Sequence, residues 1–406
     1  MSDRTQANST RHPTTQRSTT STERSSFRIV PVEDARAVEQ FIRVPWPIYT
    51  HDACWVPPLL LERKQHLSTH NPYFAHATTQ LWIAYRNHQP VGRISAQIDH
   101  FHQERYQDLT GFWGMLEAHD DQDVFHALLQ TAEQWLQEKG IRQARGPFNF
   151  SINQECGLLI HGLQTPPMVM MGHARPYYRQ HVESHGYRKA KDLLAYSVDL
   201  DFEIPPIMQK AIRKAESSVT FRSLQRSDFK QELAIIRSIF EEAWSNNWGF
   251  IPFSDQEFAA LGQELRWLVD DSFVQIAEVD GVPEAMLVAF PNVNEIIRDL
   301  NGRLFPIGWV KFLWRLKVSR PHTARVALMG VRKKYQGTPL GAVLAFGMID
   351  TVRQAGRSWG IKQVELSWIL EDNIGMNNML KAIGCEPYKT YRIYEKSFTH
   401  TQETSR

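Results

Sequence analysis

The chain has 406 residues, 42% of them hydrophobic, with a formal net charge of +2 and 22% Asp, Glu, Lys and Arg. That length supports two domains of ordinary size, each with its own core. The near-neutral balance excludes the global basic field behind non-specific nucleic-acid binding, so any attraction to anions must be local.

Residues 1–26 are rich in Ser, Thr and Arg and nearly free of apolar side chains, which predicts a disordered tail without the apolar stretch of a secretory signal. No apolar run reaches the roughly 18 residues that span a bilayer, so the chain is expected to be soluble or to lie on a membrane surface. Cys54, Cys156 and Cys385 are odd in number, widely spaced and outside any CxxC, which speaks against a disulfide framework and a zinc site and for a reducing cytosol. "LWIAYRNHQPVGRISAQID" (81–99) alternates around a turn and reads as a hairpin. His100 and His102 in "HFH" have strand spacing but no third ligand near them, so no metal is expected.

An amphipathic helix, "VFHALLQTAEQWLQEKG" (124–140), precedes a strand-like "IRQARGPFNF" (141–150). The same order returns in the second half. "FVQIAEVDGVPEAMLVAF" (273–290) reads as a hairpin, "GAVLAFGMIDTVRQAGRSWG" (341–360) as a helix and "QVELSWIL" (363–370) as a strand. Each half closes on helix, Gly and a Tyr-containing strand, in 177–200 and again in 376–396. This is an internal duplication at the level of fold, with its joint near "DFEIPPIMQKAIRKAESS" (201–218), where two prolines break the pattern before a basic helical segment.

The segment "RKKYQGTPLG" (332–341) follows a strand, "ARVALMGV", and opens the 341–360 helix. A glycine-bearing loop at a helix N-terminus gathers unpaired N–H groups at the positive end of the helix dipole, and Arg332, Lys333 and Lys334 add charge. It is neither a Walker A loop nor a dinucleotide fingerprint. Gln336-Gly337-Thr338-Pro339-Leu340-Gly341 resembles the Q/R-x-x-G-x-G/A loop by which GNAT-fold acyltransferases hold the pyrophosphate of coenzyme A. "LEDNIGMNNMLKAIGCEPYKTYRIYEK" (370–396) resembles the closing element of that fold.

"GPFNFSINQECGLLIHGL", "RPYYRQHVESHGYRKAKDL", "AWSNNWGFIPFSDQEF", "NGRLFPIGWVKFLWRLK" and "ELSWILEDN" are together similar to the YghO-like proteins, which include bacterial ceramide-synthase-type N-acyltransferases. The resemblance implies a mixed α/β fold of two tandem GNAT-like units: 27–200 for acceptor binding or support and 221–398 for the acyl thioester, joined by a linker at 201–220 and followed by a tail at 399–406. It implies transfer of a fatty acyl group from acyl-CoA or acyl carrier protein to an amine, with a sphingoid-type base as acceptor. An acetyl or aminoacyl transferase on a soluble amine and a non-catalytic acyl-thioester-binding module are the other readings. It also implies that Val331, Arg332, Lys333, Lys334, Gln336, Gly337, Thr338, Leu340 and Gly341 hold the donor. Two residues depart from the pattern. Pro339 removes a donor N–H where the family has a glycine, and Leu380 stands where many members carry a tyrosine acid.

Aminolysis of a thioester needs a neutral amine and somewhere for its proton to go. In "VELSWILEDN" a central strand should be apolar on both faces, so Glu365 and Ser367 are out of place, and Glu365 is the expected base, directly or through water. Its competing reading is a structural pair with Arg325. Glu371 and Asn373 are the other catalytic candidates, against strand-end or helix-cap roles. In "NFSINQEC", Asn149, Ser151, Asn153 and Glu155 form a polar row that is either an acceptor site or an Asx-rich turn. Trp248 and Trp368 are counted with the acceptor residues. Acidic "MLEAHDDQDVFHALL" in the first half would repel a pyrophosphate. "GWVKFLWRLKVSR" as a helix sets Trp309, Phe312, Leu313 and Leu316 against Lys311 and Arg315, which suits a membrane interface, an acyl-chain mouth or an ordinary core helix.

Overall fold

The computed structural model describes residues 27–266, 268–382 and 384–398; the tails expected at 1–26 and 399–406 lie outside the described residues. A sheet of thirteen strands runs through both halves. Its order is Phe27–Pro31, Ala77–Arg86, Gln89–Asp99, Thr110–Ala118, Gln143–Gly146, Pro387–Ser397, Arg188–Asp199, Gln363–Leu370, Thr323–Val331, Val282–Pro291, Val274–Val279 and Val219–Ser223. Leu158–His161 pairs at the side of Pro387–Ser397.

The hairpins form where the alternation and turn chemistry require them. Asn87 and His88 both take left-handed φ (49° and 65°) between Ala77–Arg86 and Gln89–Asp99, and Asp280-Gly281 does the same for the second hairpin, as a two-residue turn demands. The helix Gln122–Glu138 buries Val124, Phe125, Leu128, Leu129 and Leu136. Its counterpart, Pro339–Trp359, is capped by the Thr338 side chain and stopped by left-handed Gly360.

Three local expectations change. "HFH" belongs to a helix, His100–Tyr106, because the Asp99 carboxylate accepts from the N–H groups of Phe101 and His102 and starts it. "IRQARGPFNF" breaks at Pro147, which has no N–H for a ladder: Gln143–Gly146 stays in the sheet, while Phe148–Asn149 leaves it to pair with Glu155–Cys156. The 201–220 linker holds the expected basic helix, Pro206–Ala215, but also the start of the strand Val219–Ser223, so the second half's sheet begins inside it.

Each half's closing strand completes the other half's sheet. Arg188–Asp199 pairs with Gln363–Leu370, Pro387–Ser397 pairs with Gln143–Gly146, and the two closing strands pair with each other. Tyr391, Ile393 and Tyr394 therefore sit in the N-terminal core and Leu200 in the C-terminal one. Both inner sheet edges are consumed by this exchange, which removes two unpaired edges and ties the cores together. Among the described residues no helix is long and apolar enough to cross a membrane.

Candidate active site

Each half contains one parallel strand pair that begins in register and then parts. In the C-terminal half, Thr323–Val331 and Gln363–Leu370 pair only from Thr323↔Gln363 to Val326↔Leu366. Beyond that point a wedge opens, and main-chain donors and acceptors that would have bridged the two strands face into it. In the N-terminal half, Thr110–Ala118 and Gln143–Gly146 part after Phe112↔Arg145. That second wedge is filled by the chain itself.

The plug is the segment after Pro147. A Cβ at Gly114 would collide with the Phe148 carbonyl, so only glycine fits there. Gln97 Nε2 donates to the carbonyls of Phe148 (2.7 Å) and Phe150 (3.0 Å), and Asn149 Oδ1 accepts from Met115 N at 2.7 Å. The polar row expected to bind an acceptor is committed to this plug. Asn149 Nδ2 donates to Glu155 (3.1 Å), Ser151 Oγ accepts from Asn153 N (3.2 Å), and Asn153 Nδ2 donates to the Ile251 carbonyl (2.9 Å). Trp248 lies under the guanidinium of Arg145, 5.1 Å from its ring centre, and packs with Trp368 against the N-terminal core.

At the far end of the open wedge sits the basic loop. Its glycines are required by geometry: Gly337 has φ +72°, and a Cβ at Gly341 would strike the Tyr335 carbonyl. The cations are less free than the sequence implied. Arg332 donates to Glu242 (2.6 Å) and Ser238 (3.0 Å), and Lys334 to buried Glu284 (2.6 Å). Arg332 is therefore a strut between loop and helix Phe229–Trp244, since its charge is already neutralised. Gln336 Nε2 closes the loop onto the Val331 carbonyl (2.9 Å), and Thr338 Oγ1 accepts from Gly341 N (3.1 Å). Lys333 donates its main-chain N–H to Glu242 Oε1 (3.0 Å), while its exposed ammonium, 3.3 Å from Asn246, forms no ion pair among the described residues. The N–H groups of Gly337 and Leu340 have no acceptor there either.

At the closed end of the wedge, where Arg325 and Glu365 are still in register, lies a buried polar cluster. Glu365 and Lys389 are fully buried, with Ser367 and Arg325 nearly so. Arg325 Nε donates to Ser367 Oγ (2.8 Å), which donates to Glu365 Oε1 (2.5 Å), so the Arg–Glu pairing expected as the alternative runs through a serine. Arg325 Nη1 also donates to the Val169 carbonyl (3.0 Å), and Lys389 Nζ to that of Pro166 (2.7 Å). Those carbonyls belong to a first-half loop held over the second half by Asn292 and Asn294. The cluster is thus assembled by both halves. Glu365 Oε2 accepts from the hydroxyl of half-buried Tyr388. Burial, reinforced by the Glu365 carboxylate, pushes the Tyr388 hydroxyl far up, so it keeps its proton. Burial pulls the Lys389 ammonium down to about 8, with Glu365 opposing.

Tyr388 and Lys389 were missed in the sequence. The signal available was Lys389 in phase with Tyr391 and Ile393, a lysine where the alternation calls for an inward apolar residue. Glu371 and Asn373 take the structural roles weighed against catalysis. Glu371 accepts from Asp192 N (3.1 Å) and Lys189 (2.5 Å), while Asn373 Oδ1 caps the next helix through Met376 N (3.2 Å). Leu380 is buried against Tyr196 and Ile369.

No protein-family model matches the chain. The chain is 49% identical over 360 residues to Protein YghO of Escherichia coli (strain K12), spanning 88% of this chain and 92% of that protein. It is 43% identical over 376 residues to the bacterial ceramide synthase of Caulobacter vibrioides, spanning 92% of this chain and 98% of that one. The chain belongs to this family of N-acyltransferases. A tandem GNAT protein from the clavulanic acid pathway superposes with a TM-score of 0.56 at 12% identity, covering 93% of this chain and all of that one. A GCN5-related glucosamine N-acetyltransferase region of a fungal multi-domain protein gives 0.55, covering 92% of this chain and 38% of that chain. At such identities these matches establish the fold, a tandem GNAT arrangement, which for the YghO–ceramide synthase family means an acyl-thioester donor.

Proposed function

We propose that this chain transfers a fatty acyl group from acyl-CoA to the amine of a sphingoid-type long-chain base, forming a ceramide. The observation that carries the reading is the single open wedge, with an anion-suited loop at one end and Glu365 beyond the other, in a chain 43% identical to a ceramide synthase. The pyrophosphate lies on the N–H groups of Gly337 and Leu340, and the pantetheine arm lies in the wedge along Ala327–Val331. The acceptor arrives as an ammonium, gives one proton to the site, and as the neutral amine attacks the thioester carbon. The C–N bond forms, the C–S bond breaks, and the departing coenzyme thiolate takes up the second proton from the nitrogen. Glu365 is fully buried and cannot meet the amine itself. The amine proton therefore passes to the Tyr388 oxygen while the Tyr388 proton passes to Glu365. In this reading the C-terminal half, from about 221 to 398, binds the donor, and the N-terminal half, 27–200 with its plugged wedge, supports it and completes the cluster. Following free thiol with acyl-CoAs of several lengths and an amine panel containing long-chain bases tests the assignment; thiol release only with soluble amines would overturn the acceptor.

Lys333→Glu is expected to raise the KM for acyl-CoA several-fold and leave kcat nearly unchanged, because a surface cation contacts phosphate equally in ground and transition states. Steady-state kinetics check it. An unchanged KM removes Lys333 from the donor site.

The acceptor and product are lipids, and the structure has a surface suited to them. Residues 305–318 expose Phe305 (71%), Ile307, Trp309, Leu313, Trp314 (60%) and Val318. The sequence set Trp309, Phe312, Leu313 and Leu316 on one side, for an interface, an acyl-chain mouth or a core helix; Leu316 is buried and Phe312 half-buried against Val293, Ile296 and Ile297, while Trp309 and Leu313 are exposed. Lys311 and Lys317 flank the exposed aromatics. Large exposed apolar patches mark interaction surfaces, and Trp beside Lys suits an anionic bilayer face. The chain accordingly works at the cytoplasmic face of a membrane. Sedimentation with anionic vesicles should pull down the wild type and leave the Trp309→Ala/Trp314→Ala variant largely in solution; equal, negligible binding by both would count against the surface.

A further inference from the structure

The helix Pro206–Ala215 lies against the first turns of Pro339–Trp359, and the two leave an open groove between them. Ile207, Met208 and Ala211 line one wall, and Pro339, Leu340 and Val343 the other. Leu340 belongs to two sites, since its side chain lines the groove and its N–H faces the donor phosphate in the reading above. The groove thus adjoins the entrance for the acyl donor.

The charge on this helix is one-sided. From 204 to 215 the chain carries Lys210, Arg213 and Lys214 and no acid, although its net charge overall is only +2. All three cations are exposed, and none forms an ion pair among the described residues. On the facing helix, by contrast, Arg353 and Arg357 are paired with Asp350 and Asp201. Ile207, 76% exposed, stands at the head of the same face. Ile207, Lys210 and Lys214 follow at three- and four-residue spacing, so they share a stripe about 10 Å long. Free cations spread beside an exposed apolar side chain suit an acidic protein face better than a single phosphate, which one compact spot would hold.

Position separates this face from the lipid-suited one. The 305–318 segment packs through Phe312 and Leu316 on Val293–Ile297, where Glu295 accepts from Thr323 N at the start of the strand Thr323–Val331. The groove adjoins the loop after that strand's other end, eight residues on, roughly 26 Å along an extended chain. A bilayer at one end leaves the other to a soluble partner. The chain's own residues 1–26, with four Arg against one Asp and one Glu, would be repelled there.

We infer that the groove and the helix Pro206–Ala215 dock an acyl carrier protein, whose acidic helix meets Lys210, Arg213 and Lys214 while its acyl-phosphopantetheine arm enters past the 332–341 loop. The inference rests on the donor site proposed above and adds a protein-borne donor to acyl-CoA. The arm has the same pantetheine and thioester, with one phosphate in place of the pyrophosphate, so the N–H groups of Gly337 and Leu340 serve both donors. The thiol released stays on the carrier.

The test compares a hexadecanoyl group on a purified acidic carrier protein with the same group on coenzyme A, following thiol release with a long-chain base. Lys210→Glu/Arg213→Glu/Lys214→Glu should lose about tenfold or more in kcat/KM for the carrier-borne donor, the low end of electrostatic steering, and keep the wild-type value for hexadecanoyl-CoA. Raised salt should narrow the gap between wild type and variant, because exposed charges are screened. The three side chains are exposed, so the thermal melt should match wild type. An equal loss with hexadecanoyl-CoA would assign the cations to the coenzyme's nucleotide and overturn the docking. So would a wild type that consumes hexadecanoyl-CoA but ignores the carrier protein, an unchanged carrier-protein rate, or a variant that loses only sedimentation with anionic vesicles. Should the wild type release no thiol from either donor, the transferase reading fails, while calorimetric binding of the acylated carrier protein to wild type and variant still decides the surface.

Discussion

Glu365→Gln is expected to lower turnover with a long-chain base by roughly 10²–10⁴, the usual worth of general base catalysis, while donor affinity hardly changes. The amide keeps a side-chain oxygen for the Ser367 or Tyr388 hydroxyl but cannot take a proton. Tyr388→Phe should give a related loss, on the order of 10²-fold, without altering any charge, because it removes only the hydroxyl through which buried Glu365 meets the site. The deficit in both variants should shrink as pH rises toward the acceptor amine's own pKa, where the amine is already neutral and needs no base. Rate measurements with a thermal melt on each variant separate this from a purely structural role. A folded Glu365→Gln protein with wild-type turnover ends the assignment, and a loss that is the same at all pH values argues for misfolding of the site rather than for a missing base.

Arg325→Leu should destabilise the fold by about 3–5 kcal/mol, the cost of leaving a buried charge without its partner. Its guanidinium is nearly enclosed and supplies the positive end of the chain through Ser367 to Glu365, besides holding the Val169 carbonyl of the first-half loop. The double variant Arg325→Leu/Glu365→Leu should recover part of the loss, since replacing both ends of a buried pair removes the unpaired charge. Urea unfolding of the two proteins checks this. Equal stability of the single variant and wild type would mean that the Arg325 guanidinium is not paired with Glu365 through Ser367.

Local sequence signals carry most of the element types, the duplication and the loop, though not the helix His100–Tyr106 or the break at Pro147. Alternation around Asn87-His88 and Asp280-Gly281, helical spacing in 124–140 and 341–360, and the glycines at 337 and 341 are local signals, because turn geometry and burial periodicity act over a few residues. The sequence also marked Glu365 and Ser367, as polar residues in an apolar strand. Only the tertiary structure decided what those residues meet. The exchange of closing strands pairs residues more than 150 apart, as in Leu194 with Ile369, and no local pattern encodes which of two similar edges a strand will choose. That choice brings Tyr388 to Glu365 and draws Lys389 under the 162–175 loop. Tertiary packing likewise turned Asn149 and Asn153 from candidate ligands into the fastening of a plug, Arg332 from a phosphate contact into a strut, and Glu371 into an anchor for Lys189. A polar side chain's role depends on which partner satisfies it, and these partners lie far away in sequence: Glu242 for Arg332, the Ile251 carbonyl for Asn153 and Lys189 for Glu371.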